Sequence, residues 1–116
     1  MLFICYPKCS TCGKARTWLE AHGIEFTERD IKTENPTYDE LKAWHAESGL
    51  PLRRFFNTSG QLYRGMGLSA KLDSMSEDEQ LKLLATDGML VKRPILVGDG
   101  KVLVGFREKD WAAALL

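Results

Sequence analysis

A chain of 116 residues is long enough to bury one core without disulfide staples, so a single domain spanning 1–116 is expected. Lys and Arg number 16 against 16 Asp and Glu, and with a formal net charge of zero no broad basic field draws the chain to nucleic acid or to lipid headgroups; the expectation is no direct nucleic-acid binding and no membrane partner. The start, MLFICYPKC, lacks a basic segment and a small-residue cleavage site, no stretch approaches the roughly 18 apolar residues of a membrane span, and all three cysteines fall within Met1 to Cys12, so a reducing, cytoplasmic location is expected.

Leu2 to Tyr6 is a continuous apolar run ending at Pro7, which predicts a central strand covered on both faces. Ser10 or Thr11 can cap a helix in which Ala15, Trp18, Leu19 and His22 recur at helical spacing, and Gly23 stands where a C-terminal cap would. Ile24 to Ile31 then alternates apolar with charged residues, a second strand after a tight turn, so the first third reads as a βαβ unit with a right-handed crossover. Thr37 to Glu40 and Ser76 to Glu79 are capping boxes, each opening a helical stretch, with Leu41, Trp44 and His45 in the first and Leu81, Leu84 and Ala85 in the second. Between them, Pro51 to Leu72 looks like short helical pieces and turns. After Lys92-Arg93-Pro94, Ile95 to Val97 and Val102 to Val104 flank Gly98-Asp99-Gly100, the pattern of a hairpin with a primed turn. Glu108 to Leu116 closes the chain as a helix with Trp111 and Leu115 facing inward. The class is α/β, in the order βαβ, helical insert, ββα.

The chemistry centres on Cys9 and Cys12. A structural zinc site takes about four ligands, and here one pair is accompanied only by His22 and His45, so no metal is expected. A bridge between the two cysteines closes too short a loop to restrain the unfolded chain. What remains is redox chemistry, or merely two cysteines beside a turn. For the former, a thiol at a helix N-terminus meets unpaired N–H groups that favour thiolate, which makes Cys9 the natural nucleophile and Cys12, one turn along, the thiol that attacks the mixed disulfide; Lys8, Lys14 and Arg16 add positive charge. Cys5 lies within the apolar strand and reads as a buried, inert thiol. Pro94 opens a strand, and beside a CxxC a cis bond is favoured over an ordinary trans one. Arg93 either faces the thiolate or is solvated. Trp18, Trp44 and Trp111 fall on apolar stripes and read as core; His22 and His45 have no partnered acid and read as surface or helix-end residues. The side chains of Asn57 to Gly60, a turn by composition, are expected to hold the insert against the sheet, and Glu77 to Glu79 to complement a helix dipole.

Over its full length the chain resembles the arsenate reductase ArsC and Spx/MgsR family of thioredoxin-like proteins, through "YPKCSTCGKARTWLEAHGIEF", "RRFFNTSGQLYRGMGLSAKL", "VKRPILV" and "VLVGFRE". The "CSTCGKARTWL" stretch is closer to Spx-type members than to ArsC reductases, which typically lack the second cysteine. The resemblance implies a thioredoxin-like fold around a mixed four-stranded sheet, cis Pro94 and a helical insertion over about 36–88. It also implies Cys9 as nucleophile, Cys9 and Cys12 as a redox disulfide, Arg93 as the oxyanion-holding arginine, and Pro94, Asn57 and Arg107 as substrate-binding residues. Asn57 stands where ArsC reductases carry a further oxyanion arginine, and one arginine with an amide holds arsenate poorly, so weak arsenate reduction or a different substrate is expected. Two functions follow from the resemblance. One is a thiol-disulfide oxidoreductase that needs no cofactor beyond an external thiol reductant such as a thioredoxin or glutathione system. The other is an Spx-like redox-sensing regulator that binds the RNA polymerase α subunit. A family member whose catalysis has lapsed is the weaker third.

Overall fold

The apolar run at the start of the chain becomes strand β1 (Leu2–Cys5), and in the computed structural model, which describes residues 1–116, it lies inside the sheet. It pairs in parallel with β2 (Thr27–Asp30) and antiparallel with β3 (Ile95–Gly98), which pairs antiparallel with β4 (Lys101–Val104). The sheet is therefore mixed and four-stranded, in the order β2-β1-β3-β4. Alternation sends Phe3, Cys5 and Leu96 to one face and Ile4, Ile95 and Val102 to the other, and each face carries its own apolar cluster. Because both faces are covered, no polar residue interrupts β1.

On the first face lie α1 (Ser10–Ala21), burying Cys12, Ala15, Trp18 and Leu19, and α6 (Glu108–Leu115), burying Trp111. The Trp18 and Trp111 rings meet edge to face at 6.1 Å, and the Trp111 indole N–H donates to the Gly105 carbonyl at 2.9 Å, so these tryptophans are core, as is Trp44 on the other face. That face is covered by everything between β2 and β3: α2 (Tyr38–Ser48), a 3₁₀ turn at Leu52–Phe55, α3 (Gln61–Gly65), α4 (Leu68–Lys71) and α5 (Glu77–Leu84). Both capping boxes form, Thr37 with Glu40 and Ser76 with Glu79, and Glu77, Asp78 and Glu79 occupy the first turn of α5. The insert returns to the sheet so closely that a Cβ on Gly88 would lie 1.7 Å from the Ile31 carbonyl oxygen. The β3–β4 hairpin turns at Asp99 (φ 51°) and Gly100 (φ 71°), the positive-φ pair of a primed turn. No helix is long and apolar enough to cross a membrane.

Three expectations need correction. The α1 N-cap is Cys9, not Ser10 or Thr11, which are already helical. Strand β2 is half the length of the alternating stretch, because the Ile24 N–H is still bonded to the Leu19 carbonyl at the end of α1 and β1 offers only Leu2 to Cys5 as partners. Finally, the Asn57 region is held to the sheet side by backbone rather than side chains: the Asn57 N–H donates to Leu90, and the Lys92 N–H donates to Phe55, both at 2.8 Å. His22 is the exposed C-cap of α1 and His45 is half-buried against the Phe55 ring.

Candidate active site

Proline at position 7 ends the ladder of β1, and the chain turns so that the Cys9 N–H bonds the Tyr6 carbonyl at 2.9 Å. This turn leaves Cys9 extended (φ −84°, ψ 122°) at the N-cap of α1. A hydroxyl or carboxylate ordinarily accepts there from the second and third amides of the helix; none does here, and the Thr11 and Cys12 N–H groups instead stabilise charge on the Cys9 sulfur. Burial works to raise the Cys9 pKa. The Cys12 amide, the Arg93 guanidinium, the Cys12 thiol and the Thr11 amide together outweigh it and bring Cys9 below the ordinary thiol value.

Cys12 is the opposite case. It has no exposed surface, and burial, only partly offset by the Tyr6 N–H at 3.4 Å from its sulfur, pushes its thiol up to about 12, with negative charge on Cys9 adding to the effect. The structure holds Cys5, Cys9 and Cys12 as free thiols. Cys5 is buried as expected, its pKa raised by burial and by Glu28; Arg16, ion-paired to Glu28 at 2.6 Å, approaches its sulfur at 3.5 Å.

Above Cys9 opens a cavity of about 460 Å³, walled by Asn57, Leu62, Met89, Lys92 and Arg93. The Arg93 guanidinium lies over the Tyr6 ring, 5.2 Å from its centroid, and its Nη1 is buried with no hydrogen-bond partner. An unsatisfied buried charged donor is expensive, and a negative charge on the cavity side would satisfy it. Asn57 is 8% exposed; its carboxamide oxygen accepts from the Ser59 hydroxyl at 3.3 Å, and Gly60 leaves room for its Nδ2, which a Cβ there would meet at 2.7 Å.

The structure thus brings Cys9, Cys12, Arg93 and Asn57 together. Pro94 is buried behind them at the start of β3, joined to Arg93 by a cis peptide bond, and does not itself wall the cavity. Arg107, the exposed N-cap residue of α6, is not brought in: it lies in an adjoining groove with Arg54 and Lys92. Lys92, Met89, Leu62 and the Tyr6 ring were not anticipated. Lys92 could have been noticed beside Arg93 in "KRPI", and Tyr6 by its place three residues before Cys9; nothing local marks Leu62, which reaches the site only through the packing of α3.

Such an arrangement can carry a stabilised thiolate, an anion-accepting arginine and a second, buried thiol one helical turn away. Comparison with known proteins places it. The family model described as ArsC family matches residues 5–114. The chain is 53% identical to the uncharacterised protein YusI of Bacillus subtilis over 97% of this chain and 98% of that protein, and 35% identical to the regulatory protein MgsR of the same organism over 95% and 86%. Among solved structures it superposes with a TM-score of 0.94 on an ArsC family related protein from Bacteroides fragilis, at 54% identity over 97% of this chain and 94% of that one. With a match over nearly its whole length and the thioredoxin-like sheet beneath it, the chain belongs to the ArsC family.

Proposed function

We propose that the chain is a cytoplasmic thiol-disulfide oxidoreductase in which Cys9 attacks and Cys12 resolves. The observation that carries this reading is the inequality of the pair: Cys9 is half-exposed and held toward thiolate, whereas Cys12 is buried and held as thiol. The Cys9 thiolate attacks one sulfur of an oxidised substrate; the new S–S bond forms as the old one breaks, and the leaving thiolate takes a proton from solvent. Forming that mixed disulfide removes the charge on Cys9, one of the causes that hold Cys12 protonated. Cys12 then gives up its proton, its sulfur attacks Cys9, and the second substrate thiol departs. The substrate gains two electrons and the pair becomes a disulfide, which an external thiol, from a thioredoxin protein or glutathione, reduces again. No metal or organic cofactor enters these steps. Arg93 stabilises the thiolate or a bound anion, while Asn57 and Lys92 line the cavity it enters. For arsenate, the cavity offers one arginine, the Lys92 ammonium and the Asn57 amide, with no second guanidinium fork to hold a tetrahedral oxyanion, so slow turnover is expected.

The test is turnover of arsenate and of a small disulfide by the full chain, Cys9→Ser and Cys12→Ser. Loss of all turnover in Cys9→Ser, with a trapped adduct in Cys12→Ser, supports the reading. An ordinary Cys9 pKa without turnover refutes it. The similarity to MgsR favours a second reading, a redox-sensing regulator in which the same pair reports oxidation to a partner such as the RNA polymerase α subunit. It predicts capture of the α subunit that changes when Cys9 and Cys12 are oxidised.

A further inference from the structure

The positive charge near Cys9 is not gathered around the sulfur. Lys92 and Arg93 are the cations of its cavity, whereas Arg54 and Arg107 stand in an adjoining groove of about 300 Å³ together with Arg53 and Thr58. Lys92 lines both spaces, so the groove adjoins the cavity across this one side chain. Arg53 is paired with Asp73 at 2.6 Å, but Arg54, Lys92 and Arg107 form no ion pair. No carboxylate lines either space; Asp110 lies in the next groove beyond Arg54 and Arg107. In a chain of zero net charge, unpaired cations gathered on one wall repel one another, and an anion there relieves the repulsion.

The position of these cations says what kind of anion suits them. A tetrahedral oxyanion bonded to Cys9 would stay within the first cavity. A tail several bonds from a sulfur at Cys9 would pass Lys92 into the groove. We propose that the Arg54–Lys92–Arg107 groove is a second subsite, which binds the carboxylate or phosphate tail of a low-molecular-weight disulfide whose sulfur is presented to Cys9. This names the substrate class of the oxidoreductase proposed above and rests on that reading. The bond changes are those already given: the Cys9 sulfur joins the substrate sulfur nearest the groove, and the other half leaves as a thiol.

The experiment uses three disulfides of similar length and different tail charge: 3,3′-dithiodipropionate, bis(2-hydroxyethyl) disulfide and cystamine. With Cys12→Ser, which holds the adduct, the rate of Cys9 modification by each is followed by intact mass. It is then divided by the rate of the same disulfide with free 2-mercaptoethanol, removing intrinsic reactivity. The carboxylate-tailed disulfide should react about tenfold faster than the neutral one on this scale, as two solvent-exposed ion pairs would supply, and cystamine more slowly than either. Raised salt should shrink the difference. Adding Arg54→Gln and Arg107→Gln together should bring the anionic-to-neutral ratio close to one, and Arg54→Gln alone, which touches no α-helix cap, should lower it part of the way. Equal normalised rates overturn the subsite, as does a preference that survives both arginine substitutions. If Cys9 forms no adduct with any of the three, the oxidoreductase reading itself falls.

Discussion

Replacing Arg93 by Gln tests the electrostatic core of the site. The substitution keeps a planar polar side chain against Tyr6 but removes the positive charge that helps bring the Cys9 pKa down. A hydrogen bond to a charged group contributes about 1.5–3 kcal/mol, and Cys9 is half-exposed, so the lower end applies; about 1.4 kcal/mol is a factor of ten in thiolate population. At a pH below the Cys9 pKa, Arg93→Gln should therefore react with iodoacetamide about tenfold more slowly at Cys9, and its pH profile should move to higher pH. The assay is alkylation followed by peptide mass across a pH series. Cys12 does not compete, because it is fully buried and its thiol is pushed up to about 12. Arg93→Lys should recover part of the rate, since a point charge replaces the guanidinium fork. A profile unchanged in Arg93→Gln, with the near-ultraviolet signal of the tryptophans intact, would mean that the α1 amides and the Cys12 thiol set the pKa and that Arg93 is not part of the site.

Two further substitutions probe the frame. Gly88→Ala places a methyl 1.7 Å from the Ile31 carbonyl oxygen, a backbone atom that cannot swing aside, so the junction of insert and sheet must shift; a loss of about 3 kcal/mol in urea unfolding is expected, and an unchanged midpoint would contradict the close approach. Glu40 accepts from Arg29 at 2.6 and 2.9 Å, and this bond, with the Thr37 amide, lowers its carboxyl from 4.5 to about 2. A depressed folded-state pKa gives stability that is present above pH 4.5 and is lost as pH falls toward 2. With Glu40 a third exposed, screening leaves roughly 1 kcal/mol of this, so Glu40→Gln should be less stable by that amount at pH 7 and lose less on acidification, read from unfolding curves at several pH values. Equal acid sensitivity in the two proteins would assign the acid loss to other carboxylates.

Much of the fold was legible because its signals are local. The capping boxes at Thr37 and Ser76 each need only a residue three positions on, the Asp99-Gly100 turn needs only its own φ preferences, and the apolar run of β1 reports two covered faces directly. Where the reading missed, a distant partner decided. The alternation from Ile24 to Ile31 is a sound strand pattern, but pairing is limited by the four residues that β1 offers and by the hold of α1 on Ile24. Likewise Ser10 and Thr11 are good cap residues, yet the turn after Pro7 hands that position to Cys9, which is what points the helix amides at a thiol.

The sequence by itself determined the order of elements, the βαβ start, the helical insert and hairpin, and the placing of two cysteines one turn apart at the head of α1, because each depends on residues within a turn or two of one another. Only the tertiary structure decided which charges meet the sulfur. The neighbouring Pro94 marks Arg93 as a candidate but leaves open whether it faces the thiolate or solvent, and nothing local says where Arg107 lies. The path of β3 out of the sheet centre carries Arg93 over Tyr6 and beside Cys9, while the start of α6 leaves Arg107 in the groove beyond Lys92. Long-range geometry sorts the cations because electrostatic attraction acts through distance, and distance between remote segments is a property of the packed sheet rather than of spacing along the chain.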